Sequence, residues 1–244
     1  ISLLSQFVIN NNRKENQMGF KKATKKQLKL RLGLVGPAGS GKTWTALQIA
    51  KGLGGKIALL DTEHRSAEKY SDIVEFDVDY LTDNCSPERY VQAIKEAEQA
   101  GYDVLIIDSL SGAWAGEGGA LEMVDAAAKR SKSGNSYTAW RDVTPLHNKM
   151  IAAILASKLH IIATMRSKTE YVMEENANGK KTPRKIGMAP IQREGMDYEF
   201  DVVAELDTDH NCIVGKTRCA AIDGMVIAKP SHDSKLVTAL LAWL

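Results

Sequence analysis

What the 244-residue sequence lacks narrows the possibilities before any motif is read. It has no run of about 18 apolar residues, so no segment reads as a spanning helix. The opening stretch from Ile1 to Asn10 is apolar but too short to span. It also lacks the basic start and small-residue cleavage site of a secretory leader. The three cysteines, Cys85, Cys212 and Cys219, form no CxxC pair and cannot all pair with one another. That pattern fits free thiols in a reducing cytoplasm, the expected setting, with no membrane partner. There is no internal repeat and no low-complexity tract. An excess of one charge is missing as well: 32 Lys and Arg stand against 30 Asp and Glu, a net of +2. So small a balance argues for no polyanionic partner by itself; what matters is where the cations cluster.

What is present suits one medium α/β domain with excursions, since 44% hydrophobic and 25% charged residues allow a real core. Residues 1–27 read as a basic arm, with Arg13, Lys14, Lys21, Lys22, Lys25 and Lys26 against the single acid Glu15. From 28 to 244 the chain reads as one folded unit. Leu28 to Gly36 alternates into a glycine-rich loop and predicts a strand, and Thr43 to about Leu53 predicts a helix ended by glycines. Further strands are predicted at Lys56–Asp61, Tyr102–Asp108 and Leu159–Thr164. Helices are predicted from Pro87 to about Ala100 with Ser86 as N-cap, Leu121 to Arg130, and Tyr137 to Ala156 with Pro145 inside. Asn176-Ala-Asn-Gly179 signals a hairpin within about 167–193. Strands at Tyr198–Leu206 and Cys212–Lys216 follow, then a helix from Ser234 to Leu244. The fold class is therefore α/β: a mostly parallel twisted sheet with helices on both faces and antiparallel strands toward the C-terminus.

Gly36-Pro37-Ala38-Gly39-Ser40-Gly41-Lys42-Thr43 is a full Walker A sequence between a strand and a helix. Its glycines let backbone N–H groups turn toward phosphate oxygens, and the helix N-terminus adds partial positive charge. Lys42 is placed to reach the β and γ phosphates of ATP, and the Thr43 hydroxyl to ligate Mg²⁺. Val104 to Asp108 supplies a Walker B strand whose terminal Asp108 would hold the metal's hydration shell. Glu63 lies just past the second strand, on the rim that faces a ligand in an open α/β sheet. A carboxylate there can act as general base, although sequence alone fits a solvated surface Glu equally well.

With these residues in place the chain resembles the RecA-like recombinase ATPases, and among them the phage-type, single-domain, Sak-type members linked to single-strand annealing. The resemblance runs from about Leu30 to Gly224. It rests on the Walker A, Asp61-Thr-Glu63-His64, Asp108-Ser109, Gly116-Glu-Gly-Gly119, Ile161 to Arg166, a basic segment and a strand pair. It implies a RecA-like P-loop core with Glu63 as the water-activating acid. It also implies Lys216 and Arg218 as cations reaching the γ-phosphate of a neighbouring protomer. The expected partners are single-stranded DNA, further copies of the chain in a filament or ring, and a single-strand-binding protein. Phe20-Lys-Lys-Ala23 matches a pattern by which some recombinases insert a Phe into the next protomer, which would give Phe20 and Ala23 to self-association. One departure stands out. The Gln or Asn that the family carries at the end of the fourth strand is replaced by Thr164, with Arg166 beyond it.

The segment assigned to DNA holds Arg166, Lys168, Lys180, Lys181, Arg184 and Lys185, with Tyr171 as a base-stacking face and Glu170, Glu174 and Glu175 on the opposite arm. An internally paired, solvated hairpin is the plain alternative. Two other functions stay open at this level: a small-molecule P-loop kinase, and a non-catalytic module that binds ATP only to fix its conformation.

Overall fold

Each central strand divides its side chains between two apolar layers, and that alternation builds the molecule. Along the chain run β1 (Arg31–Gly36), α1 (Lys42–Leu53), β2 (Ile57–Asp61), β3 (Asp77–Tyr80), α2 (Pro87–Gln99), β4 (Val104–Asp108), α3 (Gly112–Ala115), α4 (Ala120–Arg130), α5 (Ser136–Ala156), β5 (His160–Glu175), β6 (Lys181–Pro190), α6 (Met196–Glu199), β7 (Val202–Leu206), β8 (Asn211–Thr217), β9 (Val226–Ala228) and α7 (Lys235–Trp243). The computed structural model describes residues 28–130, 135–175 and 181–244, with backbone alone over 169–175 and 181–187. The strands lie in the order β3-β2-β4-β5-β1-β7-β8-β9, with β6 paired to β5 off that path. From β3 to β7 every neighbour is parallel, and β8 and β9 close the far edge antiparallel. The expected sheet, mostly parallel with antiparallel strands after it, is the one found.

Leu32, Leu34, Leu59, Val104, Ile106 and Ile162 point into one layer, where α1 and α7 pack. Val35, Leu60, Leu105, Ile107, Ile161 and Ala163 point into the other, covered by α2 and α5. Period-2 alternation with both faces apolar is what a parallel sheet under helices on both sides requires. In α2 the buried residues Tyr90, Val91, Ile94 and Ala97 recur at helical spacing. Its N-cap is Ser86 with Pro87 at the first position, but the Ser86 side chain makes no capping bond.

Three differences from the sequence reading have physical causes. The edge strand β3 was not anticipated, because Asp77-Val-Asp-Tyr80 is short and acidic and so resembles a loop; charge on an edge strand discourages pairing with other chains. The strand expected from Tyr198 begins only at Val202, since Gly195, at φ 83°, starts the short helix α6 and turns Phe200 into the core. Finally, Leu159–Thr164 and the first hairpin arm are one strand, β5. Its register with β1 ends at Arg166, and pairing with β6 begins at Ser167 opposite Pro190.

A buried cation ties the layers at the base of the sheet. Arg31 is 4% exposed and donates to the carbonyls of Leu30 (2.9 Å), Leu159 (2.7 Å), Leu155 (3.2 Å) and Ser157. It thereby satisfies carbonyls that the end of α5 leaves without helical partners. Glu98 completes the junction by accepting from Ser157 Oγ (2.7 Å) and from the Lys158 N–H (2.8 Å).

Candidate nucleotide-binding site

The loop from Gly36 to Gly41 joins β1 to α1 at the C-terminal edge of the sheet. Gly36 admits no side chain: a Cβ there would lie 2.5 Å from Ser40 Oγ and 2.7 Å from the Leu206 carbonyl oxygen. Gly41 is the N-cap of α1 at φ 87°, a conformation that favours glycine and leaves the first helical N–H groups open. Lys42 folds back over the loop, and its ammonium donates to the carbonyls of Gly36 (2.9 Å) and Pro37 (2.8 Å). Burial holds that ammonium below its ordinary pKa. Glu63 and Asp108 pull it back up, and Arg166 pushes it further down.

Asp108, 1% exposed, ends β4 beside this loop. Its two oxygens accept from Thr43 Oγ1 (2.6 Å) and from Thr164 Oγ1. Burial pushes the Asp108 carboxyl up, the two hydroxyls hold it down, and the nearby Glu63 and Asp61 add to the rise. β5 lies between β1 and β4, which is how Thr164 comes to stand between the loop and Asp108. Asp61, fully buried, orders the turn after β2 by accepting from the Glu63 N–H (2.6 Å) and the Ala67 N–H (3.3 Å). That turn places Glu63 opposite the loop, with its Oε1 3.0 Å from Arg166 Nε. The pair is close in charge but not aligned as a hydrogen bond, and Glu63 Oε1 accepts none among the described residues.

Lys42, Thr43, Glu63 and Arg166 line one cleft of about 650 Å³, within the range of small-ligand sites. The remaining wall escaped the sequence reading. Trp44 and Tyr70 meet edge to face at 5.9 Å, and His210, Lys229, Pro230 and Ser231 close the side. The Lys229 N–H donates to the His210 carbonyl (2.9 Å), which joins the β7–β8 turn to the segment after β9. These residues come from four separate stretches, and only the tertiary fold brings them together. The one local signal was a ring at Trp44, directly after the Walker A.

The other expected site residues fall elsewhere. Thr164 is fully buried, and its hydroxyl is committed to Asp108 rather than to the cleft. Arg166, expected on the nucleic-acid surface, has its guanidinium on Glu63. Lys216 donates to the carbonyls of Asp197 (3.0 Å), Tyr198 (2.9 Å) and Phe200 (2.5 Å), capping α6 of its own chain. Arg218 pairs with Asp201 at 3.1 Å. Neither Lys216 nor Arg218 lines this cleft. Lys168 is exposed where the hairpin leaves the sheet. The backbone register sets Tyr171 opposite Lys185, Val172 opposite Arg184 and Glu175 opposite Lys181. Lys180, Phe20 and Ala23 lie outside the described residues. Cys85, Cys212 and Cys219 are buried free thiols.

The donors fit a magnesium nucleotide. Among the described residues, Ser40 Oγ is fully buried without a hydrogen-bond partner, and the loop offers helix-start N–H groups beside an ammonium. A hydroxyl and a carboxylate are hard oxygen donors that suit Mg²⁺, which takes one or two such ligands and keeps phosphates and waters for the rest. No group of three or more His, Cys, Asp or Glu among the described residues could hold a metal unaided. Fold and site together define a nucleotide-binding domain of P-loop ATPase type. A family model described as an AAA domain matches residues 28–227, and the chain belongs to that family. No curated protein matches. A solved structure titled "Crystal structure of the RadB recombinase" is similar at 16% identity and a TM-score of 0.46, over 80% of this chain and 84% of that one. No described helix is long and apolar enough to cross a membrane.

Proposed function

We propose that this chain is a RecA-like ATPase that assembles on single-stranded DNA and promotes pairing or annealing of strands, in the manner of the Sak-type phage proteins it resembles. The observation that carries the reading is the meeting of Lys42, Thr43 and Glu63 in one cleft, with Asp108 accepting from Thr43 behind it. Lys42 would leave the loop carbonyls for the terminal phosphates, and Thr43 and Asp108 would hold Mg²⁺. When bound, the metal neutralises phosphate charge and polarises the phosphoryl oxygens. Glu63, whose Oε1 accepts no hydrogen bond among the described residues, orients and deprotonates the attacking water. Trp44, Tyr70 and His210 supply flat faces for the base.

The DNA half of the reading rests on the antiparallel β5–β6 pair, whose strands carry Lys168, Lys181, Arg184, Lys185 and Tyr171, with Lys180 in the segment joining them. Residues 1–27 act as a basic self-association arm with Phe20 and Ala23 as its contacts. Lys216 and Arg218 serve a neighbouring protomer only if assembly draws them from their present partners. A single-strand-binding protein would deliver the substrate strand, and the setting is the cytoplasm.

Steady-state ATP hydrolysis with and without an oligonucleotide tests the function. Stimulation by single-stranded DNA is expected, with turnover abolished in Lys42→Ala and lowered about 10²-fold in Glu63→Gln while nucleotide binding persists. Unstimulated turnover, together with salt-independent oligonucleotide binding, would remove the DNA half. Near wild-type turnover in Glu63→Gln would remove the general base.

A further inference from the structure

The Glu63 carboxylate has little to hold it in place. Its side chain is 32% exposed, it faces Arg166 without hydrogen-bond alignment, and Oε1 accepts no hydrogen bond among the described residues. Its placement over the loop is therefore set by the backbone that carries it. The Glu63 N–H donates to Asp61 at 2.6 Å, and the residue between them, Thr62, is tied across the sheet to β4. The Thr62 N–H donates to the Asp108 carbonyl at 2.7 Å, one step beyond the last β2–β4 pair, Asp61 opposite Asp108. Thr62 Oγ1 accepts from the Ser109 N–H at 2.8 Å and donates to the Ser109 carbonyl at 3.2 Å. Tyr90 of α2, fully buried, donates its hydroxyl to that same carbonyl at 3.2 Å. Burial pushes the Tyr90 phenol up, which keeps it a donor. The junction is also tightly roofed: a Cβ on Gly112 would lie 2.6 Å from Tyr90 Oη and 3.3 Å from Thr62 Oγ1.

We propose that Thr62 is a positioning residue for hydrolysis, locking the turn that carries Glu63 to the tip of β4 so that the acid and Asp108 keep a fixed separation. The proposal rests on the reading of Glu63 as general base. Thr62 is 8% exposed, Ser109 is fully buried, and neither they nor Tyr90 line the cleft, so all three act only through the residues they hold. A single backbone bond past the end of a ladder leaves the strand tip able to shear. A hydroxyl that accepts from and donates to one residue opposes that motion, because it adds two bonds of different direction. Valine keeps the shape of threonine but leaves the buried Ser109 N–H without its partner, so the tip of β4 must shift to find another. A displacement of about 1 Å in a reacting group costs about 10²-fold in rate, which makes this junction a determinant of turnover rather than of binding.

The test is single-turnover hydrolysis of Mg-ATP by the full chain, with affinity for a non-hydrolysable ATP analogue measured separately by calorimetry. The variants are Thr62→Val, Thr62→Ser, Tyr90→Phe, and Glu63→Gln alone and combined with Thr62→Val. Thr62→Val is expected to lower the rate about 10- to 100-fold with analogue affinity and magnesium requirement unchanged. Thr62→Ser restores most of the rate, because it keeps both bonds to Ser109. Tyr90→Phe removes one of two donors to a carbonyl and loses less than Thr62→Val. In the Glu63→Gln background Thr62→Val lowers the rate no further, since its effect passes through the carboxylate already removed. Should Thr62→Val fail to fold, Tyr90→Phe in both backgrounds carries the same comparison. A Thr62→Val rate equal to wild type, or an undiminished further loss on top of Glu63→Gln, would overturn the positioning role. A raised magnesium requirement would overturn it too, and would move the effect to Asp108. Near wild-type turnover in Glu63→Gln is a separate result: it removes the general base itself, and the proposal with it.

Discussion

Replacing Asp108 by Asn should strengthen the fold while weakening its use of magnesium, a pair of opposite signs that few other assignments for this residue would produce. The carboxylate is 1% exposed at the end of a strand buried on both faces, and burial raises its pKa against the two hydroxyls that oppose it. A carboxyl held above its unfolded value opposes folding at neutral pH, because the folded state pays to keep it ionised. Asn has the same shape and cannot ionise. One hydroxyl then still donates, to the amide oxygen, while the other must turn and accept from the amide N–H, and both bonds fall from charged to neutral, from about 1.5–3 to about 0.5–1.5 kcal/mol each. Against that loss of about 2–3 kcal/mol stands relief of a desolvation penalty of several kcal/mol for a buried ion. The net is a gain of about 1–2 kcal/mol, or about 3–6 °C in melting temperature for a chain of this size. Thermal unfolding would be followed in chelator and then with saturating Mg-ATP. Wild type should gain about 2.7 kcal/mol at a hundredfold excess over Kd, and Asp108→Asn should lose the magnesium-dependent part of that gain. A variant that melts below wild type without ligand, or keeps the full magnesium effect, refutes the reasoning.

Two further predictions concern the frame around the site. Arg31→Met should destabilise by about 2–3 kcal/mol, since buried carbonyls at the end of α5 lose their donor; denaturant unfolding with an unchanged slope would measure it. His160 accepts from the Leu30 N–H at 3.1 Å, and burial, with help from Lys29 and Arg31, pushes its pKa down to about 4. The unfolded chain therefore binds more protons between about pH 6.5 and 4. This contribution is fully present above about pH 6.5 and is lost as pH falls through the folded value. Its size, discounted for partial exposure, is about 1–2 kcal/mol. His160→Asn should flatten that acid limb in melting curves taken from pH 7 to 4.5; an unchanged limb would assign it to other groups.

How much was legible beforehand follows from the range of the interactions involved. The Walker A and its strand–loop–helix setting are written in consecutive residues, because the chemistry is done by a loop's own backbone and by two adjacent side chains. Apolar strands with two buried faces announce themselves in the same way. The positions of Asp108 and Glu63 on the loop's side of the sheet followed from counting from strand ends, since an open α/β sheet gathers those ends on one rim. β3 was missed because a short acidic edge strand has no apolar pattern to read, and β9 because the three residues Val226–Ala228 are too few to show an alternation.

The sequence by itself determined the parallel α/β frame and the glycine-rich loop between its first strand and helix, both of them products of local spacing and of alternation. Only the tertiary structure decided which distant side chains share the cleft. Strand order set β5 between β1 and β4, so Thr164 turned to Asp108 while Arg166 turned to Glu63, and the β7–β8 turn brought His210 to the loop. Side-chain partners of that kind depend on which strands become neighbours, a choice made by burial of the whole sheet and recorded in no short stretch of chain.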